Sequence, residues 1–223
     1  MLKNYPALKN CPIFSGISEK DWKKLLECLS AREVQFKKNS FIFLEGDKTE
    51  SMGIVLSGTV HIIREDFWGK RKIVSRIGGG GLFGEAFACA GVNKLPVSVM
   101  AAEDSEIMFI NSGRITKSCP SSCVFHSNLI KNLTVLLAEK NVALIQKLEH
   151  LTQPTTREKL LSYLSEEARV AGSNKFTIPF NREELADYLS VERSAMSAEL
   201  SKMRDEGQVI FRKNNFELPK NKS

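Results

Sequence analysis

The stretch NREELADYLSVERSAMSAELSKMRDEG, residues 181–207, decides how the C-terminal third of the chain folds. Asn181 is a helix-capping residue. Glu184, three positions on, completes the reciprocal pattern in which each side chain satisfies an otherwise orphaned backbone N–H of the first turn. Leu185, Ala186 and Leu189 then fall on one inward face. Ser190, Val191 and Glu192 turn the chain, and a second helix is predicted from Arg193 to Glu206, closed by Gly207. Ala195, Met196, Leu200 and Met203 make its apolar side. Arg193, Ser194, Ser197, Ala198 and Ser201 make the opposite strip, small and polar with one Arg at the helix N-terminus.

The flanks complete a motif. Upstream, Phe176 to Pro179 reads as a short strand. Downstream, Val209 to Arg212 and Phe216 to Leu218 read as strands joined through Lys213, Asn214 and Asn215, where Asn tolerates left-handed backbone. Helix, short turn, helix and hairpin together form a winged helix-turn-helix. Such a unit places the N-terminal end of its second helix in the DNA major groove. Arg193 is therefore the candidate for a guanine edge, and Ser194 and Ser197 for bases or phosphates, with Ala198 and Ser201 completing the strip. Lys202, Arg212 and Lys213 are candidates for phosphate contacts.

Further upstream lies VFHSNLIKNLTVLLAEKNVALIQKLEHL, residues 124–151, with neither Gly nor Pro and rich in good helix formers. At about 1.5 Å per residue it spans roughly 40 Å, long for a core element. Ile130, Leu133, Leu137, Leu144 and Leu151 recur at spacings of three and four, with Lys140 and Lys147 in the remaining turns. Leu129, Leu136, Ala143 and Leu148 make a second strip. Two strips imply two neighbours, the helix's own domain and a partner helix, and the lysines imply a loosely held pair. Pro154 biases Gln153 away from helix and suits a first turn, so a new helix is expected from Thr155 to Ala171. Leu160, Leu161, Tyr163, Leu164 and Ala168 would be buried, and Gly172 would end it.

The N-terminal half has a different texture. Ser18 can cap a helix whose apolar face is Trp22, Leu25, Leu26 and Leu29. Short β-rich runs follow: Phe41 to Leu44, Ile54 to Leu56, Val60 to Arg64, Lys72 to Ile77, Val97 to Ala101 and Glu106 to Ile110. Turn signals separate them, and Gly58 breaks VLSGTVHII at a tight corner, so a sandwich or barrel is expected. The fold class is α+β: a β-roll over residues 1–123, a connecting helix over 124–151 and a winged helix-turn-helix over 152–223.

Charge and cysteine usage narrow the function. The 32 basic and 26 acidic residues give a net charge of +6, yet residues 152–223 hold 12 basic and 11 acidic. A nucleic-acid reading therefore rests on local placement rather than on the total. The five cysteines, Cys11, Cys28, Cys89, Cys119 and Cys123, form no CxxC, and a disulfide framework is not expected. No H-x-H or HExxH occurs among His61, His126 and His150, which argues against a zinc hydrolase, and no catalytic triad can be assembled from spacing. An enzyme is not expected, nor any cofactor. Nothing reads as a signal peptide or membrane span, so a cytoplasmic protein without membrane contact is expected.

With FLEGD at 43–47, LSGTV at 56–60, GGGLFGEAF at 79–87, the long helix and the 181–207 stretch in this order, the chain resembles the Crp/Fnr superfamily of bacterial transcription factors, named for the cyclic-AMP receptor protein and the fumarate-nitrate regulator. The resemblance implies a cyclic-nucleotide-binding-like jelly roll that takes a small-molecule effector. It also implies a homodimer through the long helix, two reading heads on a palindromic operator, and RNA polymerase as a further partner. Gly84, Glu85, Leu95, Pro96 and Val97 map to the effector pocket. Cyclic-AMP-binding members carry Arg-Ser after the Gly-Glu pair where this chain has Leu95 and Pro96, so an effector other than cyclic AMP is expected. Many relatives carry Arg at the position of Ala198, which leaves Arg193 as the principal base reader. Three alternatives accompany this reading: a roll acting through a protein partner, a haem sensor using His61, His126 or a cysteine, and a thiol switch at Cys11 or at Cys119 and Cys123.

Overall fold

The computed structural model describes residues 6–65, 68, 71–116 and 124–219, and the chain divides into two compact units, Met1–Ala138 and Glu139–Ser223. Cys119 and Cys123 lie outside the described residues.

The first unit opens with α1 (Pro6–Lys9), a tight helical turn at Pro12–Phe14 and α2 (Glu19–Cys28). Trp22, Leu25 and Leu29 are buried as their spacing requires, but the Ser18 hydroxyl makes no capping hydrogen bond, contrary to expectation. Then come β1 (Arg32–Phe36), β2 (Phe41–Phe43), β3 (Ser51–Ser57), β4 (Val60–Glu65), β5 (Arg71–Ile77), β6 (Leu82–Phe83), α3 (Glu85–Ala90), β7 (Ser98–Ala101), β8 (Ser105–Asn111) and α4 (Ser112–Thr116). The strands pair antiparallel in two four-stranded sheets, ordered β1-β8-β3-β6 and β2-β7-β4-β5. Six strands were legible in advance. β1 and β6 were not, because their pairing with β8 and β3 rather than any local pattern makes them strands.

Alternation explains why β3 and β8 sit at the centre. Val55, Ile107 and Phe109 join Val60 and Val99 of the second sheet in the core between the sheets. Met52, Ile54, Met108 and Ile110 turn the other way and pack with Leu8, Ile13, Trp22, Leu25 and Leu29. Both faces of these strands are covered, and each fully buried aliphatic side chain contributes about 1.5–3 kcal/mol. Gly58 makes the expected corner at φ +83°, where an added Cβ would lie 2.7 Å from the Asp104 carbonyl oxygen.

Helix α5 spans Val124–Leu151, the bounds expected. Leu129, Leu133 and Leu136 are buried in the first unit's helical core. Ile130, Val135, Val142, Leu144, Ile145 and Leu148 are exposed. The two strips are therefore grouped differently from the expectation: Leu133 belongs with Leu129 and Leu136 on the covered side, whereas Leu148 joins Leu144 on the open one. The Lys147 ammonium lies 4.9 Å from the Tyr188 ring centre in the second unit, so it does not interrupt the open apolar face.

The second unit continues with α6 (Thr156–Ala171), β9 (Lys175–Thr177), α7 (Arg182–Tyr188), α8 (Arg193–Asp205), β10 (Ile210–Arg212) and β11 (Asn215–Glu217), the last three strands ordered β10-β11-β9. Its core joins Leu160, Leu164, Leu185, Leu189, Met196, Leu200, Met203 and Phe216. Three local expectations need correction. Pro154 precedes the helix instead of occupying its first turn, while Thr155 caps α6 by a reciprocal bond with Glu158. Ala195 is exposed rather than core. Lys213, not an Asn, takes the left-handed conformation of the hairpin turn, at φ +54°.

His150, near the end of α5, is buried against Tyr163 and Tyr188, with Nδ1 2.8 Å from the Ser162 hydroxyl. Burial lowers its pKa from the ordinary histidine value, against the opposing pull of the Glu166 and Glu149 carboxylates. The unfolded chain then binds a proton that the native chain refuses, so stability is full above about pH 6.5 and falls as pH drops through that value. Thermal melting at pH 7.5 and 5.5 should show this loss, and His150→Asn should reduce it; an identical loss in the variant would exclude His150 as its source.

Candidate nucleic-acid interface

Helices α7 and α8 are each fixed at their N-termini by their own side chains. The Asn181 carboxamide oxygen accepts from the backbone N–H groups of Glu183 and Glu184, at 2.9 and 3.0 Å, while the Glu184 carboxylate accepts from Asn181 N at 2.8 Å. Losing such a cap costs about 1 kcal/mol. The turn between the helices is set by Ser190 at φ +51° and by the Val191 N–H donating to the Ala186 carbonyl at 3.0 Å.

At the start of α8, the Glu192 carboxylate accepts from Ala195 N at 2.8 Å and from the Ser194 hydroxyl. These bonds hold the carboxyl down at about 2, so it stays ionised. The Ser201 hydroxyl donates to the Ser197 carbonyl at 3.0 Å. Two of the three candidate serines are thus engaged locally, which spacing alone could not reveal. Arg193, Ala198 and Lys202 are exposed along α8, and Arg212 and Lys213 are exposed at the hairpin.

Arg157 of α6 braces the same helix. Its guanidinium reaches Glu199 at 2.5 Å and Glu206 at 2.7 Å, which keeps the Glu206 carboxyl below its ordinary range. Two negative charges, Glu199 on α8 and Glu206 at its C-terminal cap, are thereby matched inside the unit.

Sequence reasoning overlooked Arg182, the first residue of α7. Its guanidinium lies 4.8 and 5.0 Å from the Phe211 and Phe216 ring centres, burial lowers its pKa, and Nη1 is buried with no hydrogen-bond partner among the described residues. The sequence did hold a signal: a cation in a helix's first turn opposes the helix dipole, so it needs another reason to be there.

In the roll, Gly84 adopts φ +75° ahead of α3, and an added Cβ would lie 3.3 Å from the Phe43 ring. Glu85 is 4% exposed and Leu95 2%. Leu95 N donates to the Asp47 carbonyl and its own carbonyl accepts from Gly46 N, both at 2.8 Å. Gly84 and Leu95 thus both border the segment 43–47, with Pro96 exposed and Val97 half-buried. The rings of Phe43, Phe83, Phe109 and Phe36 pack in edge-on or tilted pairs in the same roll. Leu95 brings no charge, its N–H is already used, and Pro96 has none.

Of the candidate haem histidines, His61 lies on β4 and His126 in the first turn of α5, where its Nε2 is 3.7 Å from the Cys28 sulfur. Among the described residues no three His, Cys, Asp or Glu side chains group to hold a metal ion. Cys11 is buried and burial pushes its thiol up to about 12, which disfavours the thiolate near neutral pH.

The family model for the cyclic nucleotide-binding domain matches residues 33–120, and that for the Crp-like helix-turn-helix domain matches residues 158–220. The cyclic AMP receptor protein of Thermus thermophilus is 27% identical over 101 residues, 45% of this chain and 45% of that protein, so the match spans less than half of the relative. The Thermus thermophilus catabolite activator protein structure aligns with a TM-score of 0.56 at 22% identity, covering 93% of each chain. The c-di-GMP responsive global regulator CLP of Xanthomonas campestris aligns with a TM-score of 0.58 at 17% identity, covering 92% of this chain and all of that one. At these identities the structures share the fold.

Proposed function

We propose that this chain, which carries a cyclic nucleotide-binding domain and a Crp-like helix-turn-helix domain in one sequence as Crp/Fnr regulators do, is a homodimeric, sequence-specific DNA-binding transcription regulator controlled through the roll by an effector other than cyclic AMP. The observation that carries this reading is α8: capped by Glu192, braced by Arg157, and presenting exposed Arg193 at its N-terminal end. Such a helix enters a major groove with its first turn, where Arg193 meets guanine O6 and N7 while Lys202, Arg212 and Lys213 meet phosphates.

Dimerisation is supported by the open face of α5. Six large apolar side chains on one helix stand in water, and a second copy of the same helix would cover them. A shift in how α5 seats on the roll would re-aim two reading heads set about 34 Å apart along the duplex.

For the effector, Leu95 and Pro96 themselves provide neither a charge nor an unused N–H for a cyclic phosphate. The missing charge-assisted contact corresponds to a few kcal/mol, roughly a hundredfold or more in affinity. Calorimetry with cyclic AMP and cyclic GMP should therefore give no saturable heat at micromolar concentrations, and micromolar binding of either would overturn this part of the reading. Selection from random duplex DNA tests the rest: an inverted repeat should be enriched, and failure to enrich any sequence under reducing and oxidising conditions would favour a roll that acts through a protein partner.

A further inference from the structure

Cys28, the last residue of α2, places its Sγ 3.7 Å from Nε2 of His126 in the first turn of α5. His126 is 5% exposed, and its other ring nitrogen, Nδ1, is buried with no hydrogen-bond partner among the described residues. An imidazole sealed from water, with one nitrogen aimed at a half-buried sulfur, is the pairing of a nucleophilic thiol with its base. Among the described residues the other two cysteines are Cys11 and Cys89. Burial and the Glu85 charge raise the Cys89 thiol although Cys89 is the more exposed, and burial alone raises that of Cys11.

We infer that Cys28 is a modification site, a thiol oxidised by hydroperoxides with His126 as its base. Nε2 takes the proton of the thiol, and the thiolate sulfur attacks the terminal oxygen of ROOH. The S–O bond forms as the O–O bond breaks; sulfur loses two electrons and the peroxide gains them. The leaving alkoxide recovers the proton from the imidazolium, and the products are the sulfenic acid and ROH. Two equivalents of a small thiol return the sulfenic acid to the thiol, yielding a disulfide and water.

The place gives the modification a consequence. His126 lies one turn before Leu129, which with Leu133 and Leu136 seats α5 on the roll. An added oxygen must be accommodated between α2 and that first turn, and any effect on DNA rests on the reading proposed above. The chemistry itself does not, so its test uses no DNA.

The full chain is exposed to hydrogen peroxide at pH 7 in the presence of dimedone, and adduct formation is followed at each cysteine by peptide mass spectrometry. Cys28 should react about tenfold or more faster than Cys89, and His126→Gln should slow Cys28 about tenfold while leaving Cys89 unchanged. Should that variant fail to fold, the two rates within the native protein decide. Cys28 reacting no faster than Cys89, or a folded His126→Gln protein with an unaltered Cys28 rate, would overturn the inference.

Discussion

Replacing Leu144 and Leu148 together by glutamate should yield a folded monomer that binds an operator duplex about a hundredfold or more weakly than the parent chain. Both side chains are already in water, 60% and 58% exposed, so the substitutions remove nothing from either unit's core and melting should change little. They lie one turn apart on the open side of α5, where a partner helix would bury them. Two glutamates there would meet two more across the dimer axis, and four desolvated like charges oppose association. Once the heads are separate, the second half-site no longer binds at a high effective concentration, and avidity of about 10²–10⁴ is lost. Sedimentation equilibrium and fluorescence anisotropy read the two effects. A variant that remains dimeric with parental affinity would show that this face is not the dimer contact.

Arg193→Ala should weaken binding to the preferred operator by about 1–3 kcal/mol and relax the preference at one base pair of each half-site. The side chain is exposed and the cap on α8 is made by Glu192, so the helix should persist without it. Lys213→Ala is the matched comparison. A phosphate contact carries no sequence information, so this variant should weaken all duplexes alike and lower the salt slope by about one. Unchanged base preference in the Arg193 variant would assign readout elsewhere on α8, where Ser197 and Ala198 remain.

What the sequence disclosed follows from how local each signal is. Asn181, Glu184, Gly207 and the apolar spacing of 185–203 act within a turn or two of themselves, and they describe the reading head nearly as found. The bounds of α5 were legible for the same reason. How its apolar residues divide between a covered and an open side was not, because spacings of three and four fit more than one grouping and the neighbour selects among them. β1 and β6 depended on strands distant in sequence. At the candidate interface the residue types were legible but their occupancy was not: Ser194 is taken by Glu192, Ser201 by its own helix, and Arg157 reaches α8 from another helix. Leu95 and Pro96 were read from a departure from a family pattern, and the backbone bonds of Leu95 to Gly46 and Asp47 give that departure its physical content.

The central claim is that this reading head recognises a DNA sequence in pairs. Its most direct test is a titration of the full chain, at one fixed salt concentration, against a duplex bearing the selected inverted repeat and against the same duplex with both half-sites scrambled. The expected result is two protomers per intact duplex and an affinity about 10³-fold or more above that for the scrambled one. Equal affinity for the two duplexes, or one protomer per intact duplex at saturation, would contradict it.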